Sequence, residues 1–486
     1  MKTVKDRLGL SDMTLPAVIL SLVMTGCGWF PKETQRAFII SMPAVEKTVS
    51  NARQTLPVTD GWPIQAWWHV FNSPVLPKLI ETALSENPDL KVVSQRLQQA
   101  QAMVDNQAAE QYPTLHANVR FSAERYSANS TQVKFAGEHF RQLLINPLVL
   151  RYHLDFWGRD KAALEAAVGR ALAADAELAD AGLLLSVAVA ESYFDLTAAV
   201  KKLTIAADLV KAKEDLLKLQ SVRFNYGLAA AASPLNATVD VNQAKALEAV
   251  VRTEVDFHKH RLAALAGKGP DWGQSLTVDR ITFPEKLQLP ADLPLNLLAR
   301  RPDLTAARLH AQAADEDIKV AEAAFYPDIN LIAFTGLHSV SLTDVLLQGS
   351  SLAYAVGPSI EFPIFEGGRL RARLRYQQSG YDAAVERYNA SLLGAVQEVA
   401  DALTFWQGTE ARLAAQRQTL SAVTGTEQLA QVLNRTGLSA DLDVLLAGIR
   451  LNEASFELTT LENEQFKAAV RLIKALGGGY QGTNTP

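Results

Sequence analysis

Apolar and polar residues alternate one for one along several stretches of this chain. Leu115, Ala117, Val119 and Phe121 are separated by His116, Asn118 and Arg120. Leu148, Leu150, Tyr152, Leu154 and Phe156 are separated by Val149, Arg151, His153 and Asp155. Tyr354, Val356, Ile360, Phe362 and Ile364 repeat the pattern around Ala355, Ser359 and Glu361. Period two with one apolar face predicts β-strands, in a membrane barrel wall or in a soluble sandwich. A fourth segment, residues 329–337, alternates poorly because Ile332 and Phe334 break the pattern. Polar loops near residues 126–141 and 338–350 separate the strands of each pair.

The remaining pattern is helical and unusually long. Residues 159–226 and 369–436 are both proline-free, and the first is rich in Ala, Leu, Glu and Lys. At ~1.5 Å per residue each would extend about 100 Å. Such lengths suggest coiled-coil or repeat architecture rather than an ordinary globular helix. Each ends at a Gly-Leu pair, Gly227-Leu228 and Gly437-Leu438, with glycine in the usual C-terminal position. Shorter helices are predicted over 89–110, 235–266, 303–324 and 444–476, with Asn87 as an N-cap and Pro88 and Pro302 at first helical positions.

These elements occur twice. Pro88-Asp89-Leu90 is followed by Tyr112-Pro113, and Pro302-Asp303-Leu304 by Tyr326-Pro327 at the same spacing. After the hairpins, Arg159, Gly227 and Arg261 recur at Arg369, Gly437 and Arg471. A constant offset over this distance means a duplicated structural half. In each half, two short helices placed end to end would run beside one long helix and leave a gap of about 20 Å. The irregular segments 60–86 and 268–298 are the candidates to fill it, giving a helical cylinder with a belt at its waist.

Closure follows from counting. The chain has two strands per half, four in all, whereas the smallest bacterial membrane barrels need about eight. Unpaired strand edges are prohibitive in lipid, so identical chains must join in a ring. Two chains would make a barrel filled by side chains; three would make twelve strands and a passage.

Composition narrows the function. The 486 residues are 48% hydrophobic and 20% charged, with net charge −5, so no basic footprint suggests nucleic acid. Cys27 is the only cysteine, which excludes an internal disulfide framework. It follows a basic start (Lys2, Lys5, Arg7), an apolar run over 15–24 and the small residues Thr25 and Gly26. That order predicts an export signal. Residues 22–27 resemble a bacterial lipoprotein box, with Met24 in place of the usual leucine, which makes Cys27 the candidate lipidation site. No later run offers ~18 uninterrupted apolar residues, so no transmembrane helix is expected after the signal. No nucleophile–base arrangement is visible, no cofactor is called for, and Glu254 with His258 and His260 reads as a solvated helix face. Gly267 and Gly269 lack the strand-to-helix context of a phosphate loop.

Two runs are specific enough to indicate a family. The segment from Leu289-Pro290 through Leu298-Ala299-Arg300-Arg301-Pro302-Asp303-Leu304 closely resembles a signature of outer-membrane efflux lipoproteins, the NodT-type branch of the TolC/OprM superfamily. Trp67-Trp68 with Phe71 and Pro74, and Leu476-Gly477-Gly478-Gly479-Tyr480, are similar to its two terminal elements. The resemblance implies a TolC-like, mainly α fold with a membrane β-barrel: a homotrimer whose four strands per chain build a twelve-stranded barrel above a long periplasmic α-helical barrel. It also implies docking to a periplasmic adaptor and an inner-membrane RND-type pump, in the outer membrane of a Gram-negative bacterium.

The resemblance assigns candidate sites. Gly227, Leu228, Gly437 and Leu438 become adaptor-docking tips, and Asp441 and Asp443 candidates for the periplasmic aperture. The first half carries Ala231 and Ser233 at the equivalents of those aspartates, so the carboxylates belong to the second tip alone. Asp443 has a second reading as a helix cap, by analogy with Ser233 before Pro234. The expected domains are a signal (1–26), a lipidated N-terminus with an equatorial segment (27–86), a first repeat (87–267), a linker (268–300), a second repeat (301–477) and a tail (478–486). The expected function is export of small toxic compounds. Protein secretion, and a lipid-anchored scaffold without a pore, are the alternatives.

Overall fold

The computed structural model describes residues 36–482, apart from 45, 54–55, 57, 60, 130–132, 280, 284–288, 291–299 and 341–348. In chain order the first half runs α1 (Glu46–Ala52), β1 (Val58–Thr59), a 3-10 turn (Trp67–Phe71), α2 (Leu76–Glu86), α3 (Pro88–Glu110), β2 (Thr114–Arg125), β3 (His139–His153), α4 (Arg159–Asn225) and α5 (Ala232–Leu265). The second half runs α6 (Pro270–Gln274), β4 (Leu289–Pro290), α7 (Pro302–Ala323), β5 (Asp328–Ser339), β6 (Leu352–Glu361), α8 (Arg369–Arg435) and α9 (Asp441–Ala475).

The long helices α4 and α8 are 67 residues each, so the equal lengths expected of the two halves are present. Helix α4 packs against α3, α5, α7 and α9, and α8 against α7 and α9. The second-half short helices therefore lie between the two long ones, while α3 and α5 flank α4 on one side. By length and composition α4 contains a stretch apolar enough to cross a membrane, though it is not an uninterrupted apolar run, and half of it is buried against protein. Its apolar character comes from alanine, leucine and valine that pack against neighbouring helices.

The four longer strands form one antiparallel sheet in the order β2-β3-β5-β6, leaving β2 and β6 as edges. The register slips by one residue on both sides of β3, between Asn146 and Val149 against β2 and between Ile145 and Leu148 against β5. Pro147 sits in that bulge, where its missing N–H costs no ladder bond. The bulge switches the phase of β3. Leu143 and Ile145 pair with Phe121 and Val119, and after the bulge Leu150 pairs with Leu115, so all lie on one face. On β5 the same face holds Leu331, Ala333 and Leu337. Ile332 and Phe334 fall on the opposite, polar face, where the Phe334 ring stacks on His338 at 5.6 Å. Their place there explains the poor alternation of β5.

The expected gap between short helices is absent. Asn87 Oδ1 accepts from the Leu90 N–H at 3.0 Å, capping α3, while its Nδ2 donates to the Leu265 carbonyl at 2.9 Å, the last residue of α5. The end of α5 thus meets the start of α3 directly. In the second half Arg301 takes the same place and donates to the Ala475 carbonyl at 3.0 Å. At both joints a glycine follows the returning helix: Gly267 against the Glu86 carbonyl and Gly477 against the Arg300 carbonyl. Both have positive φ, and an added Cβ would collide with that oxygen. The irregular segments wrap the joints instead of filling a gap. Trp67, Phe71, Leu76 and Ile80 are fully buried against Tyr193, Phe194, Leu403 and Trp406. Ser73 Oγ donates to Asp279 at 3.0 Å, and the Tyr193 hydroxyl donates to the same carboxylate. Burial and that neighbouring carboxylate push the Tyr193 phenol up to about 12.

One capping expectation fails. Helix α5 begins at Ala232 with Ala231 in the N-cap place and no side-chain cap, so Ser233 lies inside the helix. Pro234 is tolerated there because first-turn N–H groups have no helical acceptor.

Candidate channel wall and docking tips

Residues 36–44 define one side of the helical layer. The Ala37 N–H donates to Asp382 at 3.0 Å, the Ile40 N–H donates to Asn389 at 3.1 Å, and Asn389 donates back to the Phe38 carbonyl at 3.0 Å. Arg36 pairs with Asp315 at 3.9 Å and lies over the Tyr381 ring. This segment occupies the seam between α7 and α8.

A groove of about 1020 Å³ lies between α4, α7 and α8. It is lined by Glu177, Asp180, Asp303, His310, Asp317 and Arg387, among others. His310 Nε2 contacts Glu177 at 2.8 Å, and Asp317 is held by Arg170. Burial, then the like charge of Asp303, pushes the Asp180 carboxyl up to about 6. Beside it the buried Arg301 binds Asp303 at 2.7 Å and Glu398 at 2.9 Å. Burial opposes the guanidinium charge, but these carboxylates outweigh it and hold the group more firmly protonated than usual. Sequence reading gave Asp180 and Arg301 no role. Arg301 stood inside the signature run; Asp180 is an isolated acid in an alanine-rich stretch, a weak signal.

At the far end from the sheet, both long helices stop in the same way. The Gly227 N–H donates to the Phe224 carbonyl at 2.9 Å and the Leu228 N–H to Arg223 at 2.7 Å. The second tip repeats this with Gly437 to Asn434 at 2.9 Å and Leu438 to Leu433 at 2.8 Å. This is a Schellman ending, which needs the left-handed backbone that both glycines adopt, at φ 70° and 73°. Turn chemistry accounts for the glycines but not the leucines. In such endings the apolar residue usually packs back on its own helix, yet Leu228 and Leu438 are 69% and 75% exposed.

Asp441 and Asp443 open α9 at the second tip, and both are exposed. Asp443 is the third residue of α9 rather than its N-cap, which is Ala440, and its carboxylate accepts from the Ala440 N–H at 3.2 Å. Asp441 accepts from Asn434 Nδ2 at 2.9 Å. Cys27 and residues 291–299 of the signature run lie outside the described residues.

Elsewhere, chemistry-bearing groups are taken up by structure. His153, Asp155 and Asp160 bring one ligand atom each within 4.8 Å of one another. His153 binds Asp160 on one side and Asp328 on the other, at 3.0 Å. Asp155 accepts from the first N–H groups of α4, at 2.7 Å from Arg159 and 3.0 Å from Asp160. The cluster ties strands β3 and β5 to the start of α4. Burial pushes the His258 imidazole down, and His258 lines a small cavity with Glu254 and Asp195. His260 instead meets Gln274 at 3.3 Å, so the two histidines serve different neighbours.

The model of the family described as outer membrane efflux protein matches residues 79–268 and 293–478, the two halves of this chain. The chain belongs to that family. It is 29% identical over 433 residues to multidrug resistance outer membrane protein MdtP of Escherichia coli O6:H1, covering 87% of this chain and 88% of that protein. It is 30% identical to fusaric acid resistance protein FusA of Burkholderia cepacia, over 76% of this chain and 69% of that protein. Among solved structures, outer membrane protein VceC of Vibrio cholerae superposes with a TM-score of 0.78 at 30% identity, covering 86% of this chain and all (100%) of that one. The outer-membrane channel OprN gives 0.80 at 26% identity, covering 92% and 99%. The chain is thus an outer-membrane efflux channel protein with the TolC-like fold. Its sheet is the membrane part, and its helices extend into the periplasm.

Proposed function

We propose that three copies of this chain form a lipid-anchored duct that exports drugs or other small toxic compounds, handed on by a periplasmic adaptor and an RND-type inner-membrane pump. The observation that carries this reading is the pair of open sheet edges, β2 and β6, standing over an open flank of α3 and α5. A ring of three closes both at once, giving twelve strands and a continuous helical wall. The groove with Asp180, between α4, α7 and α8, becomes part of the inner wall.

The N-terminal segment supports the anchor. Arg36 sits beside Tyr381, about 18 Å below the start of α8. Cys27 lies nine residues earlier, a reach of up to about 30 Å, enough to return to the membrane surface. One acyl chain binds membranes weakly, and the barrel supplies the second contact.

Leu228 and Leu438 are the docking contacts in this reading. The Asp441 and Asp443 carboxylates, six per trimer, gather near the aperture, where like charges favour cations over anions. The test is Leu228→Asp with Leu438→Asp. Trimers should form and conduct in planar bilayers as before. Cells relying on this channel should become hypersensitive to exported compounds, and adaptor crosslinking at the tips should disappear. Unchanged resistance would remove the tips from docking; a wild-type trimer without conductance would remove the duct.

A further inference from the structure

At its outer end the first hairpin carries charges sorted by face, whereas deeper in the sheet Arg120 and Arg151 lie on the face opposite Val119 and Ile145. Val119 pairs with Ile145 and Phe121 with Leu143 on the lipid-facing side. Continuing outward on that face, Ala123 pairs with Arg141 and Arg125 with His139. Arg125, His139 and Arg141 are all exposed. The carboxylate Glu124 pairs with Phe140 on the opposite face, and Glu138 follows Tyr126 there by alternation. No Lys or Arg occurs between His338 and Glu361, so the second hairpin has no counterpart.

Height matters as much as sign. The lipid-facing run from Leu115 to Ala123 is nine residues, close to the ~9–11 that a tilted strand needs to cross a bilayer. The next outward position on β2 is Arg125. The hairpin tips point away from the periplasmic helices, so this position lies at the outer headgroup layer. Opposed and diagonal positions are ~5–8 Å apart, a spacing that lets two guanidinium forks hold one phosphate group.

We propose that Arg125, His139 and Arg141 form a binding surface for the phosphorylated sugar headgroup of outer-leaflet lipid. The proposal rests on the barrel reading above, because only in a membrane barrel does this face meet lipid. Its charge is complementary to such a headgroup, and it continues the apolar band without a break. Arg125 lies on edge strand β2, so in the closed ring each surface stands at a seam between neighbouring copies.

The experiment uses the full-length trimer in phosphatidylcholine nanodiscs carrying either diphosphorylated lipid A or its dephosphorylated form, with bound lipid read by native mass spectrometry. The wild-type protein should retain the phosphorylated lipid, and Arg125→Ala with Arg141→Ala should retain it about thirtyfold more weakly, at about a factor of five per arginine. Arg125→Lys with Arg141→Lys should recover part of the binding. Equal retention of both lipids by the wild type overturns the proposal, and this arm stands even if the double variant does not assemble. Inorganic phosphate competing as well as the lipid also overturns it, since the site would then be a free-anion site. Planar-bilayer conductance of the same wild-type trimers is the separate check: its loss would indict the barrel, not the lipid surface.

Discussion

Helices α3 and α7 are copies of one segment, both opening Pro-Asp-Leu, yet no residue of α3 is buried, while Leu304, Ala306, Ala311, Ala313 and Ile318 of α7 are. The difference is written in side-chain size. Buried Ala306, Ala311, Ala313 and Ala321 stand where α3 has Val92, Leu97, Gln99 and Gln107. Small residues let α7 sit tightly between α4 and α8; a Cβ on Gly169 of α4 would come within 3.2 Å of the Ala313 side chain. Among the described residues helix α3 packs along α4 and meets α5 only end to end, and its exposed Val92 and Met103, three helical turns apart, share one face. Duplication therefore produced one helix that completes the chain and one left open, which in the proposed ring of three faces another copy.

The largest test of that contrast places a charge on each helix. Ala311→Glu buries an unpaired carboxylate between long helices, a cost of several kcal/mol that should prevent folding of the chain. Met103→Glu should leave the isolated chain folded, with a stability change within about 0.5 kcal/mol, and should deplete trimers. Circular dichroism melting and native electrophoresis separate the two effects. Trimers of Met103→Glu at wild-type yield would mean that α3 does not face a neighbour.

The second test compares the joints. Asn87 and Arg301 do the same mechanical work, each reaching the final carbonyl of the returning helix, at 2.9 and 3.0 Å. Arg301 adds paired carboxylates. Arg301→Ala leaves Asp303, Glu398 and the Ala475 carbonyl without it; water reaches both partly exposed carboxylates, so the cost is about 2–3 kcal/mol, below the figure for a fully buried pair. Asn87→Ala removes a cap and one carbonyl contact, about 1–2 kcal/mol. Urea midpoints of the two variants should keep that order. The reverse order would mean that the second joint is held by packing rather than by its guanidinium.

These joints also mark the limit of sequence reading. The repeated Pro-Asp-Leu and Gly-Leu landmarks were enough to place both short helices and both tips, because they depend on local backbone chemistry. The joint was not legible: its two halves use different side chains, amide and guanidinium, to meet a carbonyl some 175 residues away. The same holds for β3. Alternation placed Leu148 to Tyr152 on one face, but nothing local said that the bulge at Pro147 would return Leu143 and Ile145 to it. The tip leucines were legible by position, whereas their exposure was not, since a packed leucine has the same sequence. Asp443 resembles an N-cap in sequence, yet the helix begins two residues earlier and places it at the third position, reaching back to the Ala440 N–H.

The smallest expected effect concerns the same pair of halves. Asp180 in α4 corresponds to Ala390 in α8, and both line the groove beside Asp303. At this pair of equivalent positions only the first half carries an acid; Glu398 of α8, also near Asp303, is neutralised by the Arg301 they share. The Asp180 carboxyl titrates at about 6 in the folded protein, against 3.8 ordinarily. The folded chain thus binds its proton more tightly than the unfolded chain does. Stability falls as pH rises from about 4 to about 6, and above that range the full penalty of a buried, repelled carboxylate is present. Asp180→Asn removes the ionisation. It should raise the melting temperature by about 1 °C at pH 8, corresponding to about 1 kcal/mol for a chain of this length, with no gain at pH 3.5. A gain that is equal at both pH values would trace to packing or hydrogen bonding of the amide. No gain at pH 8 would mean that water or a bound cation in the groove already neutralises the charge.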